Sequence, residues 1–317
     1  YTLKSKKPPF YLSQSLYGFD SKSITDFTAL LQENQYDTLV FKFNSTAILA
    51  NTAKKVLPLC NIIIDVDMLT SRICYDAWRN NPSIKNRYYL IEYLKLRQFE
   101  KKFVKNDFTF LYTNDKEIEQ LKNQYNISDL ENHRLLPNVF HENKEVQKCS
   151  YKNKFILFYG MLNSTVNETA FKFLTDEIYP LIKQKLIKEN IKIVVIGKNK
   201  TAIYNNTYKN INVIGEVDDI SSYINACEFV LLPLKIASGT LTRVLEAAFF
   251  KKAVLTTSIG IEGLKMQNSA FIEDKPEDIA TKVKILIDNS HLCQSVGLLA
   301  NFYVKENHSK QNIAQKL

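Results

Sequence analysis

An apolar strand pattern that runs through a turn of small residues straight into a helix pattern limits this chain to a narrow set of folds. Phe229-Val-Leu-Leu-Pro-Leu234 reads as a buried strand, Ala237-Ser-Gly-Thr240 as the turn, and Leu241-Thr-Arg-Val-Leu-Glu-Ala-Ala248 as the helix, with Ile259-Gly-Ile-Glu-Gly-Leu264 closing the run. A strand that is apolar throughout needs both faces covered, which is the condition of a parallel sheet. The helix opens where no bulky side chain guards its first N–H groups. These lack intrahelical partners and point outward, so the turn is a place for an anion such as a phosphate.

From Leu241 to Phe250 the helix is apolar almost all round, yet it carries Arg243 and Glu246, three apart and on one face. Glu246 is the only acid between Glu228 and Glu262. A carboxylate in so apolar a segment is costly unless something pairs with it. Two readings follow. Arg243 and Glu246 satisfy each other as a structural ion pair, or Arg243 faces a diphosphate and Glu246 the hydroxyls of a ribose.

The same alternation extends along the chain. Strand patterns fall at Tyr36–Phe43, Cys60–Asp65, Phe108–Thr113, His133–Asn138, Phe155–Tyr159, Ile191–Ile196, Ile211–Ile214 and Phe229–Leu232, and helix patterns at Ser23–Glu33, Lys85–Lys105, Glu168–Glu189 and Ile220–Cys227. The stretch Lys282–Leu317 reads as two helices. Short apolar strands alternating with helices predict α/β architecture with parallel sheets covered on both faces. The polar run His141–Lys154 is the best linker, dividing the chain into 1–145 and 146–317. Two Rossmann-like domains facing a cleft are expected, with ligands at the carboxyl ends of the strands.

These residues resemble a known family. The order of strand, Pro-Leu, Ser238-Gly-Thr240, Arg243, Leu245-Glu-Ala247 and then Thr256-Thr-x-Ile-Gly-x-Glu-Gly-Leu264 is similar to the donor site of GT-B glycosyltransferases of family 4, in the branch that builds bacterial surface polysaccharides. The resemblance is strong from Phe155 onward and weaker before, where Tyr36-Asp37, Asp65-x-Asp67, Ser71, Thr113-x-Asp115 and Leu136-Pro-Asn-Val139 match pieces of that family. It implies that Gly239, Thr240 and Arg243 hold the donor diphosphate, with Ser238 beside them, and that Glu246 binds the ribose. It places Val217 and Asp218 in the loop that meets the nucleobase. It also implies that the last helices pack back toward the first domain.

Departures from the family pattern shift some of these roles. Its Glu-x7-Glu motif would put the first Glu at Ser238, which is uncharged. The basic pair found after the first strand of the second domain is missing from Gly160-Met-Leu-Asn-Ser-Thr-Val-Asn167. Neutralising a diphosphate then falls to Arg243, the helix dipole and Lys198, which either reaches the site or lies in solvent. Gly160, just past a strand, lets backbone approach a ligand. The carboxylates of Asp218 and Asp219 suit the N-cap of the helix from Ile220. No glycine-rich loop opens the first domain, where Gly18 is the only glycine in 150 residues, and no buried strand is evident before Thr38. The N-terminal domain is therefore expected to lack its first strands.

Composition narrows the partners. The net charge of +9 is spread evenly, +4 over residues 1–150 and +5 over the rest, with no basic tail or stripe, which argues against nucleic acid. The five cysteines are odd in number, scattered, and without a Cys-x-x-Cys or Cys/His cluster, so a reducing compartment fits best and a zinc site is not indicated. With no apolar run long enough for a membrane helix and no signal-peptide pattern, a cytoplasmic setting is expected. Asp65-Val-Asp67 puts two carboxylates on one side of a strand end, a metal-binding pattern in the other large glycosyltransferase fold, but strand capping accounts for it without a metal. Lys85–Lys105 holds seven Lys/Arg interleaved with five Tyr/Phe, suiting either an anionic membrane surface or an ordinary amphipathic helix with its aromatics inward. None of the four histidines lies in a motif, and a catalytic base is not identified.

The function expected is a retaining, metal-independent hexosyltransferase that moves a sugar from a nucleoside-diphosphate sugar to a glycan or lipid-linked acceptor, with no cofactor. The alternatives are a GT-B relative that binds nucleotide sugar without turnover, and a sugar-nucleotide epimerase.

Overall fold

The computed structural model describes residues 5–6, 18–43, 46–126, 131–140, 146–198 and 208–315. By its contacts the chain forms two compact units: residues 1–137 with the tripeptide Ser238–Thr240, and residues 138–237 with 241–317. Among the described residues no helix is long and apolar enough to cross a membrane.

In the first unit a short antiparallel pair, β1 (Ser5–Lys6) and β2 (Gly18–Phe19), precedes α1 (Ser21–Glu33), capped by Asp20, whose carboxylate accepts from the Ser23 N–H at 2.7 Å. A parallel sheet follows in the order β3 (Thr38–Lys42), β4 (Asn61–Val66), β5 (Thr109–Tyr112), β6 (His133–Leu135). Its crossovers are made by α2 (Ala50–Val56), by α3 (Thr70–Asn80) with α4 (Arg87–Phe103), and by α5 (Asp115–Tyr125). Phe41, Ile62, Ile64, Phe110 and Tyr112 are buried from the sheet, alternating along their strands as the two-residue period requires. A polar link runs through this core. Glu100 of α4 is buried, and its Oε2 accepts from Ser71 Oγ of α3 at 2.7 Å and Tyr125 Oη of α5 at 2.8 Å, so one carboxylate ties three helices.

The second unit is a six-stranded parallel sheet. Its order is β12 (Phe271–Ile272), β11 (Val254–Thr256), β10 (Val230–Leu232), β7 (Phe155–Tyr159), β8 (Lys192–Ile196), β9 (Ile211–Gly215). All of β7 is buried, because alternate residues serve opposite faces. Ile156 and Phe158 pack with Phe171 of α6 (Thr165–Phe173), Ile182 of α7 (Tyr179–Lys188) and Val283 of α10 (Pro276–Asp288). Phe155, Leu157 and Tyr159 pack with Ile224 of α8 (Ile220–Ala226), Val244 and Ala248 of α9 (Thr242–Phe249), and Ala300 of α11 (Ser290–His308). A short α12 (Lys310–Ala314) ends the described chain. Burying each such aliphatic or aromatic side chain contributes about 2 kcal/mol before entropy is set against it.

Several elements differ from their sequence patterns. The expected helix Glu168–Glu189 begins at Thr165, because Ser164 caps it by accepting from the Asn167 N–H at 3.3 Å, and it passes through a π-helical turn at Leu174–Ile178. Pro180 explains the turn: it has no N–H for the carbonyl four residues back, and its ring would crowd that carbonyl. The last stretch holds three helices, the first opening at Pro276, where a proline suits the first turn. Helices α2, α3 and α5 have no counterpart among the sequence patterns. Part of the expected linker, residues 141–145, and residues 199–207 lie outside the described residues.

Candidate functional site

The site residues of the second unit gather where β7 ends and α9 begins. Gly160 follows Tyr159 with φ +148, and a Cβ there would lie 2.5 Å from Arg243 Nη1. The absent side chain leaves the room in which the guanidinium lies. Arg243 Nη1 donates to the Tyr159 carbonyl at 2.6 Å, and Tyr159 Oη donates to the Arg243 carbonyl at 2.6 Å, so strand end and helix hold each other by two reciprocal bonds. Gly197, at the end of β8, backs onto this arrangement: its Cβ would meet the Gly160 carbonyl oxygen at 2.0 Å. Two neighbouring strands thus end in glycines so that the backbone can close up beneath Arg243.

Electrostatics tie Glu246 into the same cluster. Burial lowers the Arg243 pKa from its ordinary value, against the opposing pull of Tyr159 and Glu246. Burial together with the nearby Glu246 carboxylate holds the Tyr159 hydroxyl well above the usual phenol range. The phenol therefore stays protonated as a donor, and the guanidinium keeps the charge that an arginine holds throughout the ordinary pH range. Asn167 flanks Gly160, with Nδ2 donating to the Met161 carbonyl at 3.0 Å and Oδ1 buried without a hydrogen-bond partner.

Glu246 also lines a cavity of about 330 Å³ with Asn138, Phe140, Ser221, Thr242 and Phe249. The rings of Phe140 and Phe249 lie 4.4 Å apart by their centroids. Ser221 Oγ is buried and has no hydrogen-bond partner, while Asp219 caps α8 by accepting from the Ser221 N–H at 3.0 Å. Of the expected base loop, Val217 is half-buried and Asp218 is exposed, leaving the capping to Asp219. Lys198 is exposed.

The turn Ser238–Thr240 is counted with the first unit, and its groups are engaged there. The Gly239 N–H donates to Glu117 Oε1 at 2.8 Å, Ser238 Oγ donates to the same oxygen at 2.5 Å, and the Thr240 N–H donates to Thr113 Oγ1 at 3.0 Å. The amides read from sequence as open to an anion are thus met by a carboxylate and a hydroxyl. Asp65 and Asp67 face a cation already, with Lys42 Nζ at 3.6 and 4.0 Å. Among the described residues no group of three or more His, Cys, Asp or Glu side chains is placed to hold a metal.

Tyr159, Asn167, Ser221 and Glu117 carry no site role in the sequence, and Thr113 figures there only as part of the family pattern Thr113-x-Asp115. Asn114-Asp-Lys-Glu117 is legible as a helix start, and Asn114 Oδ1 does accept from the Glu117 N–H at 3.0 Å. Nothing in the spacing announces that Glu117 meets residues some 120 positions later.

Residues 153–289 match the sequence model of the family described as Glycosyl transferases group 1. The fold is that of GT-B glycosyltransferases. The structure of HepE from Anabaena in complex with UDP-glucose is similar over 93% of this chain and 80% of that one, with a TM-score of 0.65 and 11% identity. WaaG, a glycosyltransferase involved in lipopolysaccharide biosynthesis, is similar over 84% and 79%, with a TM-score of 0.60 and 15% identity. Sucrose-phosphate synthase from Thermosynechococcus elongatus is similar over 93% and 75%, with a TM-score of 0.65 and 12% identity. At such identities the likeness is one of fold. No curated protein sequence matches the chain. Family match and fold together support a glycosyltransferase.

Proposed function

We propose that this protein is a retaining glycosyltransferase that transfers a sugar from a nucleoside-diphosphate sugar to a glycan or lipid-linked glycan in surface-polysaccharide synthesis. The observation that carries the reading is the Tyr159, Gly160, Arg243 and Glu246 cluster, in which a charged guanidinium is fixed beneath a glycine strand end beside a cavity that Glu246 lines. In this reading Arg243, the Gly160 backbone and Lys198 meet the diphosphate, Glu246 meets the ribose, and the cavity with Val217 and Asp218 takes the base. Fixed positive charge stabilises the leaving diphosphate without reorganising as the bond breaks. The rest of the task is to hold donor and acceptor in reacting geometry. Metal independence belongs to the same proposal, with Arg243 and the N-terminus of α9 supplying the charge.

The acceptor's lipid carrier would be met at an anionic membrane surface through α4, on the inner face of the plasma membrane. Supporting this, Tyr88, Ile91 and Leu94 of α4 are 44–55% exposed at a spacing of three residues, and Ile84 in the turn before the helix is exposed as well. Exposed Lys85, Arg87, Arg97, Lys101 and Lys102 accompany them.

UDP-glucose is the first donor to try, since the HepE structure holds it. Incubation with UDP-, GDP- and dTDP-sugars in EDTA should give transfer or slow hydrolysis for one of them. Arg243→Ala and Glu246→Gln should each weaken its binding by about 1–3 kcal/mol, the range for hydrogen bonds to charged groups. Unchanged titration calorimetry in folded variants would reject the donor site. Isomerised sugar would mark an epimerase, and binding without turnover a binding protein.

A further inference from the structure

Glu117 is the third residue of α5, and its side chain is fully buried. Its Oε1 carries both the Gly239 N–H and Ser238 Oγ, and Ser238 Oγ in turn accepts from the Leu69 N–H at 2.8 Å. Oε2 is buried with no hydrogen-bond partner. Half of this carboxylate is thus buried without a hydrogen bond, a cost that the pull of Arg72 offsets only in part. Gly239 is needed at the contact: its φ is +76, and a Cβ would lie 2.3 Å from the Asp67 carbonyl oxygen. What the turn holds is a carboxyl oxygen on a glycine amide, the place a phosphate oxygen would take.

We propose that Glu117 is a resident stand-in for a phosphate oxygen at the Ser238–Thr240 turn, and that a phosphate-bearing donor takes the Gly239 amide by exchange with it. The inference rests on the reading of the chain as a user of nucleoside-diphosphate sugars. Exchange returns both Glu117 oxygens to hydrogen-bonding partners in water and puts a fully charged oxygen on the amide.

The exchange is coupled to a proton. The charged and titratable groups that act on Glu117 are Arg72, Glu100 and Tyr112. Burial outweighs the favourable pull of Arg72 and of the hydrogen bonds, and pushes the Glu117 carboxyl up to about 7. Once displaced into solvent it returns toward an ordinary value of about 4.3. Between those two values, exchange releases a proton, so ligand affinity rises with pH and levels off above about 7.

Calorimetry of the full chain with UDP-glucose and, separately, with inorganic sulfate tests this, because neither ligand titrates near neutral pH. Two buffers of different ionisation heat count the protons. For the wild type, affinity should rise about tenfold or more from pH 5 to 7.5, with most of a proton released per ligand near pH 6. Glu117→Gln, whose neutral amide can stay in the turn at every pH, should show no proton release, a flat profile, and binding about tenfold or more weaker than wild type at pH 7.5. A Gln variant with wild-type affinity and slope would overturn the inference and leave a structural brace. If that variant does not fold, the wild-type count decides alone: no proton released near pH 6 sinks the exchange. Proton-linked sulfate binding without UDP-glucose binding would keep the exchange and reject the donor reading. UDP-glucose binding with no proton release would do the reverse, and failure of both ligands to bind would overturn the exchange.

Discussion

Gly160 decides where the Arg243 guanidinium can lie. Two demands meet at this one position: a φ of +148, and space for Nη1 at the point where a Cβ would stand 2.5 Å away. Gly160→Ala imposes backbone strain of about 1–3 kcal/mol and pushes the guanidinium off the Tyr159 carbonyl. The melting temperature should fall, and UDP-glucose affinity should fall with it. Tyr159→Phe makes the complementary test, since it removes the hydroxyl bonded to the Arg243 carbonyl and keeps the ring in the core. It should cost about 1–2 kcal/mol in stability while Nη1 keeps its partner. Thermal denaturation beside ligand titration separates the two: a Gly160→Ala variant that melts and binds like wild type would mean that Arg243 has other room.

At the scale of elements, α4 has two unlike faces. Leu96, Phe99, Glu100 and Phe103 turn inward, Phe99 stacking on Phe103 with centroids 5.0 Å apart, so the ordinary amphipathic reading accounts for most of its aromatics. It does not account for Ile91 and Leu94, which are 51% and 55% exposed. If this face meets an anionic membrane, the protein should float with phosphatidylglycerol vesicles at low salt and detach at about 0.5 M salt, where charges are screened beyond a few ångströms. Ile91→Glu with Leu94→Glu should remove that binding while leaving the melting temperature within a few degrees of wild type. Equal binding to neutral phosphatidylcholine vesicles, unaffected by salt or by the substitutions, would reject the electrostatic surface.

The same helix shows what a sequence discloses. Its period and its charges are local, so its place is legible from Lys85 to Lys105, as are the strands Phe155–Tyr159 and Ile191–Ile196, where continuous apolar residues leave little choice. The inward face of α5 is not legible, because three of its eleven residues are buried and two of those, Glu117 and Tyr125, are polar. Their burial depends on Ser238, Gly239 and Glu100, partners supplied by the fold rather than by spacing. In the candidate site, Arg243 and Glu246 stood out as charges in an apolar run, whereas Tyr159 read only as a strand residue. Its two bonds to Arg243 need the strand end and the helix start to meet, which no local pattern encodes.

On the scale of the whole molecule, the buried acids with strongly raised pKa values belong to one unit. Glu100 and Glu117, both of the first unit, are each pushed up to about 7 by burial, against the lowering effect of their hydrogen-bond donors. The unfolded chain gives such groups a value of about 4.3, so folding favours their protonated forms. Where the folded state binds more protons than the unfolded one, stability falls as pH rises. The contribution of each group is therefore complete below about pH 4.3 and is lost as pH climbs through about 7. Each amounts to something on the order of 3–4 kcal/mol, and the two act on each other, so they will not simply add. Hydrogen exchange at pH 5.5 and 8 should show protection of β4, β5, α4 and α5 weakening toward the higher pH once intrinsic exchange rates are corrected, with β7, β8 and α9 changing less. Glu100→Gln keeps an acceptor for Ser71 and Tyr125 and cannot ionise, so it should flatten the denaturant-midpoint profile and exceed wild-type stability at pH 8. A wild-type profile that instead rises steadily from pH 5 to 8 would mean that both carboxylates are ionised in the fold, held by charge that burial does not overcome.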